Sequence, residues 1–144
     1  MSYSFQNPSQ DIIKSYLENA KTIAIVGLSH RQETAAYKVA AFLQSVGYHI
    51  LPVNPKLAGQ EILGEKVYRA LQDIPVSIDI VDIFRPSPAL AGVARDFIET
   101  DAKVFWSQLG LESQEAEQVL REAGHQAIVM NKCTKIEHKQ LMLD

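Results

Sequence analysis

Residues 22–29, TIAIVGLS, decide the fold class of this 144-residue chain. Residues 22–26 are apolar or β-branched without a break and end at Gly27, which is typical of a strand buried on both faces of a sheet. Residues 35–45 then show the spacing of an amphipathic helix, and Gly47 is its stop signal. A buried strand that leads through a loop into a helix is the first half of a βαβ unit.

The same alternation of strand and helix continues along the chain. The predicted strands lie at residues 22–26, 48–53, 78–84, 103–106 and 126–130, and the predicted helices at residues 9–20, 35–45, 67–72, 88–99, 112–123 and about 134–141, with 55–66 irregular. Strands that alternate with helices form right-handed crossovers and a parallel sheet. We therefore predict an α/β, Rossmann-like, doubly wound parallel sheet of about five strands, in the order 3-2-1-4-5, with helices on both faces. Residues 1–144 are predicted to form a single domain.

Composition excludes several classes of protein. The chain is 47% hydrophobic and 22% charged, as globular proteins are, and disordered or fibrous chains are not. Its net charge of −3 gives no electrostatic reason to bind nucleic acid or an anionic membrane. No apolar run reaches the roughly 18–20 residues of a membrane helix, and the N-terminus lacks the features of a signal peptide. Cys133 is the only cysteine, so no internal disulfide forms and a cytoplasmic location is expected.

Ligands of such sheets bind at the carboxyl ends of the strands. Five short segments follow the predicted strands: residues 27–29, 54–56, 84–86, 107–110 and 131–133. Because parallel strands end at the same edge of a sheet, the topology gathers these segments together. The sequence therefore predicts one nucleotide-sized binding site at this edge.

The loop after the first strand occupies the position that binds phosphate in a Rossmann fold, where a helix N-terminus supplies free N–H groups. Gly27 permits a tight turn, and Ser29, His30, Arg31 and Thr34 offer further donors. The G-x-G-x-x-G fingerprint is absent, so a plain strand-to-helix turn remains the alternative interpretation.

The end of the second strand indicates which ligand binds. NAD-binding units place Asp or Glu here to accept from the ribose hydroxyls, whereas this chain has Asn54, Pro55 and Lys56. A lysine attracts a ribose phosphate, such as the 3′-phosphate of coenzyme A or the 2′-phosphate of NADP, and a solvated turn lysine is the alternative. The same edge carries three more basic residues, which predict a local positive charge: Lys38, Arg85 and Lys132.

The residues define no evident catalytic set. A G-x-S-x-G nucleophile elbow is absent, and Asp79 and Asp82 point to opposite faces of their strand, with Asp82 nearer to a ligand. Cys133, Glu137 and His138 match no usual zinc spacing. A thiol-dependent acyl transferase using Cys133 and His138, and an NADP-dependent reductase, remain alternatives to a non-catalytic binding module.

Seven segments are more specific together than any one alone: IAIVGLS (23–29), YKV (37–39), GYHILPVNPK (47–56), ILGEKVYRALQDIP (62–75), IDIVDIFR (78–85), AKVFWSQLGLESQEA (102–116) and MNKCTKIEH (130–138). Over about residues 8–140 the chain resembles the small stand-alone CoA-binding proteins. These are similar to the N-terminal domain of the succinyl-CoA synthetase α subunit. The resemblance implies a Rossmann-like fold and coenzyme A as ligand, and it favours CoA over NADP.

The resemblance also implies roles for the residues near the nucleotide. Gly27, Leu28 and Ser29 would hold the CoA pyrophosphate, and Tyr37 and Lys38 would line the same site. The second group would face the adenosine and its 3′-phosphate, and consists of Val53, Asn54, Pro55 and Lys56.

The remaining candidates belong to the third and fourth strand ends. By the same resemblance, Phe84 and Arg85 would flank the adenine or ribose. Trp106, Gln108 and Gly110 would close the crevice between the strands.

Two departures from the family pattern bear on binding. Residues 34–37 read TAAY where Arg-x-Ser-Tyr is usual, so an arginine and a serine hydroxyl are missing, and Arg31 offers a substitute for the arginine only. Residues 131–133 read NKC where Asp-Arg-Cys is usual, which replaces a bidentate guanidinium by a lysine. These changes would weaken CoA binding or favour another nucleotide. A protein-interaction domain that has kept the fold but lost the ligand is the further alternative. A protein partner or a homodimer is also possible for a CoA-binding module.

Overall fold

A computed structural model describes residues 3–142, so residues 1–2 and 143–144 of the predicted domain lie outside the described part. The chain forms strands β1 (Thr22–Val26), β2 (His49–Val53), β3 (Glu61–Ile62), β4 (Glu65–Lys66), β5 (Ile80–Ile83), β6 (Val104–Ser107) and β7 (Ile128–Val129). Its helices are α1 (Gln10–Asn19), α2 (Ala35–Ser45), α3 (Leu90–Ile98), α4 (Gln114–Glu122) and α5 (Thr134–Leu141). Five of the strands form one parallel sheet, which confirms the predicted α/β class.

The order of these five strands differs from the prediction. The sheet runs β2-β1-β5-β6-β7, which is 2-1-3-4-5 in chain order, and the predicted 3-2-1-4-5 is wrong. The third strand of the sheet, β5, pairs directly with β1 instead of lying outside β2. Both orders are doubly wound, but the observed one places the reversal of strand order between β1 and β5.

Pro52 explains why β2 lies at the edge of the sheet. Its carbonyl accepts a hydrogen bond from the Tyr68 N–H at 2.9 Å on the side away from β1. In a strand the N–H and C=O of one residue point to the same side, so the N–H that proline lacks is missing from this outer side. A central strand would need that donor, whereas an edge strand does not.

The connection from β2 to β5 contains no α-helix, so the predicted helix at residues 67–72 is wrong. Tyr68 is extended instead and bridges to Val53, and its carbonyl accepts from the Asn54 N–H at 2.9 Å. A single 3₁₀ turn, Leu71–Asp73, buries Leu71. The open edge of β2 pairs with Tyr68, and this tertiary pairing overrides the local helical spacing. The irregular stretch before it holds a second 3₁₀ turn, Pro55–Leu57, and the antiparallel β3-β4 pair.

Apolar side chains cover both faces of the sheet. Helices α3 and α4 pack on one face against residues such as Ala24 and Val26, and α1 and α2 pack on the other against Ile23 and Ile25. Because both faces of β1 are buried, every residue of the run 22–26 is apolar or β-branched. Within residues 3–142 no helix combines the length and the apolar character that crossing a bilayer requires.

Candidate functional site

Two adjoining cavities open at the carboxyl edge of the sheet. The larger has a volume of about 690 Å³ and is called the Gln108 cavity; it lies between the loop after β1, the start of α2, residues 84–86 and the segment after β6. The smaller, about 390 Å³, is called the Lys56 cavity and lies between the ends of β1, β2 and β5. The residues common to both are Gly27, Phe84, Arg85 and Pro86. The two cavities therefore share one wall.

The corrected strand order explains where the cavities lie. Connections from β1 and β5 leave the sheet on either side of the point where the order reverses, which opens a crevice there. The predicted order would have put that crevice between β1 and β6. The observed one makes Gly27 and residues 84–86 its shared walls.

Gly27 is required by this close approach of two loops. Its φ of +90° lies in the left-handed region, and a Cβ at this position would stand 2.8 Å from the Phe84 carbonyl oxygen. Backbone hydrogen bonds hold the surrounding strands together: the Gly27 N–H donates to the Val53 carbonyl at 2.9 Å, and the Phe84 N–H to the Val26 carbonyl at 2.8 Å. Only glycine fits both the conformation and the space.

The start of α2 forms part of the wall of the Gln108 cavity. Thr34 caps the helix, since its Oγ1 accepts from the Tyr37 N–H at 3.3 Å and donates to the Arg31 carbonyl at 2.7 Å. Ala35 and Ala36 line the cavity, and their N–H groups have no partner among residues 3–142. Free N–H groups at the positive end of a helix dipole favour a phosphate.

Asn54 ties the Lys56 loop to the glycine loop. Its Nδ2 donates to the Leu28 carbonyl at 3.0 Å, and its Oδ1 accepts from the Lys56 N–H at 2.9 Å. Lys56 and Arg85 are exposed in the cavity walls, and no Asp or Glu of the described chain lines either cavity. The crevice is therefore locally positive although the chain is acidic.

The other two basic residues predicted for this edge contribute less. Lys132 lies 3.9 Å from Glu137, measured from Nζ to Oε1, so its charge is offset. Lys38 is exposed but belongs to neither cavity wall. The positive charge of the crevice comes from Lys56 and Arg85.

A buried polar network backs the Gln108 cavity. Asp82 and Thr134 are fully buried, and Gln108 is 6% exposed. Thr134 Oγ1 donates to Asp82 Oδ2 at 2.7 Å, and Gln108 Nε2 donates to Asp82 Oδ1 and, at 3.1 Å, to Thr134 Oγ1. Burial raises the pKa of Asp82 to about 7, against the two donors, which favour the ionised form. Asp82 lines neither cavity, so Gln108 is the member of this network that a ligand meets.

The structure places nine of the fifteen predicted binding residues in the cavity walls. These are Gly27, Ser29, Val53, Asn54, Pro55, Lys56, Phe84, Arg85 and Gln108. Neither cavity is lined by Leu28, Arg31, Tyr37, Lys38, Trp106 or Gly110. The Leu28 side chain is fully buried, Tyr37 packs against the apolar cluster of β1 and α2, and the Gly110 N–H donates to Asn131 Oδ1 at 2.6 Å.

The sequence pattern missed several apolar wall residues of the Gln108 cavity. They are Val39, Pro86, Leu109 and Leu111. Leu109 carries a signal in the sequence, because it is a large apolar residue within segment 107–110 at a predicted strand end, and the structure leaves it 59% exposed. The others are indistinguishable in sequence from ordinary core or turn residues.

Trp106, which was predicted to close the crevice, lies in neither cavity wall. The strand β6 extends to Ser107, so Trp106 lies inside it, and its fully buried ring points into the core. Its Nε1 donates to the Lys132 carbonyl at 2.8 Å and so holds the segment after β7.

Trp106→Phe tests this structural role. The substitution leaves the Lys132 carbonyl without its donor and removes ring volume, so the free energy of unfolding should fall by about 2–4 kcal/mol. Urea unfolding measures this loss. Ligand affinity at a temperature where the variant stays folded should be unchanged, and a selective loss of affinity would return Trp106 to the site.

Cys133 lines the Gln108 cavity, but the histidine suggested as its base is engaged elsewhere. His138 packs edge-on against Phe42 and Tyr48, with ring centroids 5.5 and 5.8 Å apart, and burial lowers its pKa. No hydrogen bond joins Cys133 to a histidine in the part of the chain that the structure covers. The acyl-transferase alternative therefore lacks an assembled general base.

A doubly wound α/β sheet with a ligand-sized crevice at the reversal of strand order defines the class of this protein. The family described as "CoA binding domain" matches residues 21–139. The chain belongs to that family, which confirms the resemblance that its motifs indicated.

Individual relatives agree with this assignment. The chain is similar to the uncharacterized protein YneT of Bacillus subtilis, with 47% identity over 133 residues, which are 92% of this chain and 96% of YneT. It is also similar to the alpha subunit of ADP-forming acetate–CoA ligase I of Pyrococcus furiosus, with 31% identity over 116 residues, 74% of this chain and 25% of that subunit. A solved structure from Thermus thermophilus superimposes with a TM-score of 0.88 at 35% identity, covering 93% of this chain and 99% of its own. None of these relatives supports the NADP alternative.

Proposed function

We propose that this protein binds coenzyme A or an acyl-CoA without catalysing a reaction. The observation that carries the proposal is the pair of adjoining cavities flanked by Lys56 and Arg85, with no acidic side chain of the described residues in their walls. CoA carries a 3′-phosphate and a pyrophosphate, and both need positive charge or free N–H groups. Membership of the CoA-binding domain family favours CoA over NADP.

The two cavities suit the two halves of this ligand. The adenosine and its 3′-phosphate would occupy the Lys56 cavity, next to Asn54 and Lys56. The pyrophosphate would lie where the cavities meet, against Gly27 and the start of α2, and the pantetheine arm would extend into the larger, mostly apolar Gln108 cavity.

Calorimetric titration of the wild type and Lys56→Ala with CoA, 3′-dephospho-CoA and NADP tests the proposal. A hydrogen bond to a charged group contributes about 1.5–3 kcal/mol, so the wild type should bind CoA roughly 10- to 100-fold more tightly than 3′-dephospho-CoA. Lys56→Ala should abolish that difference. Lys38→Ala is the matched control, because Lys38 is an exposed lysine outside both cavity walls, and it should preserve the difference.

Other results would redirect the interpretation. A preference for the 3′-phosphate that survives in Lys56→Ala would remove Lys56 as its partner. Binding of NADP without CoA would make the function a redox one. Binding of neither would favour the protein-interaction alternative, and residues 34–36, where the family pattern has Arg-x-Ser, would be the place to seek the reason.

A second candidate, an acyl transferase that uses Cys133, is favoured by one observation, the position of this thiol in the wall of the Gln108 cavity. Acyl-CoA turnover that disappears in Cys133→Ala would support it. We further propose that residues 1–144 act as one CoA-binding domain in the cytoplasm, since the lone cysteine suits a reducing compartment. A protein partner or a second copy of the chain would then receive or sense the bound CoA.

A further inference from the structure

We propose that Gln108 determines specificity for the arm of the ligand: its side-chain carbonyl accepts a hydrogen bond from an amide N–H of the pantetheine arm, and Asp82 and Thr134 are the positioning residues that turn this carbonyl into the cavity. The inference rests on the proposed function and deepens it. It concerns the Gln108 cavity, whereas the adenosine end depends on Lys56.

The donors of the Gln108 amide are directed away from the cavity. Nε2 donates to Asp82 Oδ1 and to Thr134 Oγ1, which uses both of its hydrogens. The amide oxygen, Oε1, has no hydrogen-bond partner among residues 3–142, although only 6% of the Gln108 surface is exposed. Every fully buried side-chain nitrogen and oxygen in that range has a partner, so the free Oε1 reaches open space. The open space that Gln108 lines is the cavity.

Asp82 and Thr134 prevent the amide from turning round. The Thr134 hydroxyl donates its hydrogen to Asp82 Oδ2, so towards Gln108 Nε2 its oxygen can only accept. Above its pKa of about 7, Asp82 is a carboxylate, which only accepts hydrogen bonds. A reversed amide would place its carbonyl oxygen against Asp82 and Thr134 with no proton between them, which costs the free energy of unpaired buried acceptors.

The Gln108 carbonyl is an unpaired acceptor in a mostly apolar cavity, so it selects for a donor. The apolar side chains that line the same cavity include Val39, Phe84, Leu109 and Leu111. A ligand without an N–H or O–H group opposite the Gln108 carbonyl would bury this carbonyl without a hydrogen-bond partner. The resulting loss of affinity is larger than that caused by a missing methylene in an apolar pocket. The pantetheine arm of CoA matches the wall, because it carries two secondary amides on an aliphatic chain.

Gln108→Met tests the acceptor, because methionine has a similar length and apolar stem but no carbonyl. Titrations at about pH 8.5, where Asp82 is ionised in the folded protein, compare CoA with adenosine 3′-phosphate 5′-diphosphate, the same nucleotide without the arm. We expect Gln108→Met to bind CoA about tenfold more weakly and the armless nucleotide with wild-type affinity. Gln118→Met, the same substitution at an exposed residue of α4 outside both cavity walls, is the matched control and should change neither affinity by more than about twofold.

Thr134→Val and Thr134→Ser test the positioning role and keep the proposal testable if Gln108→Met does not fold. Valine has nearly the shape of threonine but no hydroxyl, so the amide of Gln108 loses one of its two guides. The affinity of Thr134→Val for CoA should fall about three- to tenfold, while its affinity for the nucleotide without the arm should equal that of the wild type. Serine restores the hydroxyl and should restore the affinity. A purely structural Thr134 would lower stability without this dependence on the arm.

The outcomes separate this inference from the proposed function. Suppose that the wild type prefers CoA over 3′-dephospho-CoA, but Gln108→Met binds CoA as the wild type does, or loses affinity equally for CoA and for the nucleotide without the arm. This result overturns the role of Gln108 and leaves the proposed function standing. A wild type that binds no CoA overturns both. A loss confined to the ligand with the arm supports both.

Discussion

Gly27→Ala should lower the free energy of unfolding by about 2–5 kcal/mol and weaken CoA binding at the same time. The residue has φ +90°, and an added Cβ would lie 2.8 Å from the Phe84 carbonyl oxygen. An L-residue in this conformation is strained, and backbone at that distance has to move. Movement of residues 84–86 would displace the wall that the two cavities share.

Gly124→Ala separates the strain of the conformation from the effect of the clash. Gly124 has nearly the same φ, +89°, but a Cβ there would meet nothing within 4 Å. It should lose only about 1–2 kcal/mol, and it should leave ligand affinity unchanged. Urea unfolding and CoA titration of both variants measure the difference. Equal losses of stability would mean that the approach of Gly27 to Phe84 is not tight.

Asp82→Asn should remove a large pH dependence of stability. Burial raises the pKa of Asp82 from 3.8 to about 7, so between these values the folded protein binds a proton that the unfolded chain does not. Stability therefore falls as the pH rises through this window, by about 4 kcal/mol for a shift of about three pKa units, and no further above it. Relative to the wild type, Asp82→Asn should gain this amount between about pH 4 and pH 8.

Unfolding by urea at a series of pH values gives the comparison. Changes from other carboxyl groups occur in both proteins and cancel in the difference. Parallel stability curves for wild type and Asp82→Asn would mean that Asp82 ionises in its usual range.

Asp79→Asn provides a control of opposite sign within the same strand region. Burial would raise the pKa of Asp79, but the backbone N–H groups of Lys21 and Thr22, together with the Lys103 ammonium, lower it overall. Its contribution is therefore present above the ordinary pKa and lost as the pH falls. As the pH falls, the wild type should lose stability relative to Asp79→Asn. Over the range between the two pKa values of Asp82, it should gain stability relative to Asp82→Asn as the pH falls.

Several features of the site were determined by local sequence. Gly27, Lys56 and Arg85 follow strands whose unbroken apolar runs mark their ends, and parallel strands end at a common edge whatever their order. That is why the strand-end residues could be predicted to meet, and why the cavities lie there. The elements themselves were equally local: α5 begins and ends where its spacing predicts, at Thr134 and Leu141.

Pairing between distant segments lay beyond such patterns. Nothing in the apolar runs distinguishes β5 beside β1 from β5 outside β2, because both positions bury a strand on two faces. Pro52 was the one local signal that β2 lies at the edge of the sheet, because proline has no N–H to donate to a further strand on the outer side of β2. The helix expected at residues 67–72 failed for a related reason, since Tyr68 pairs with that edge.

Side-chain direction at the strand ends was also decided only by the tertiary structure. The Trp106 ring is fully buried on the core side of β6, and Gln108, directly after that strand, is the residue that meets the cavity. The network of Asp82, Gln108 and Thr134 joins β5, the segment after β6 and α5, which are far apart in the chain. Local periodicity determines which segments are buried and where they end, because it depends on near neighbours. The partners of a buried polar group depend on how those segments pack, and only the folded chain brings them together.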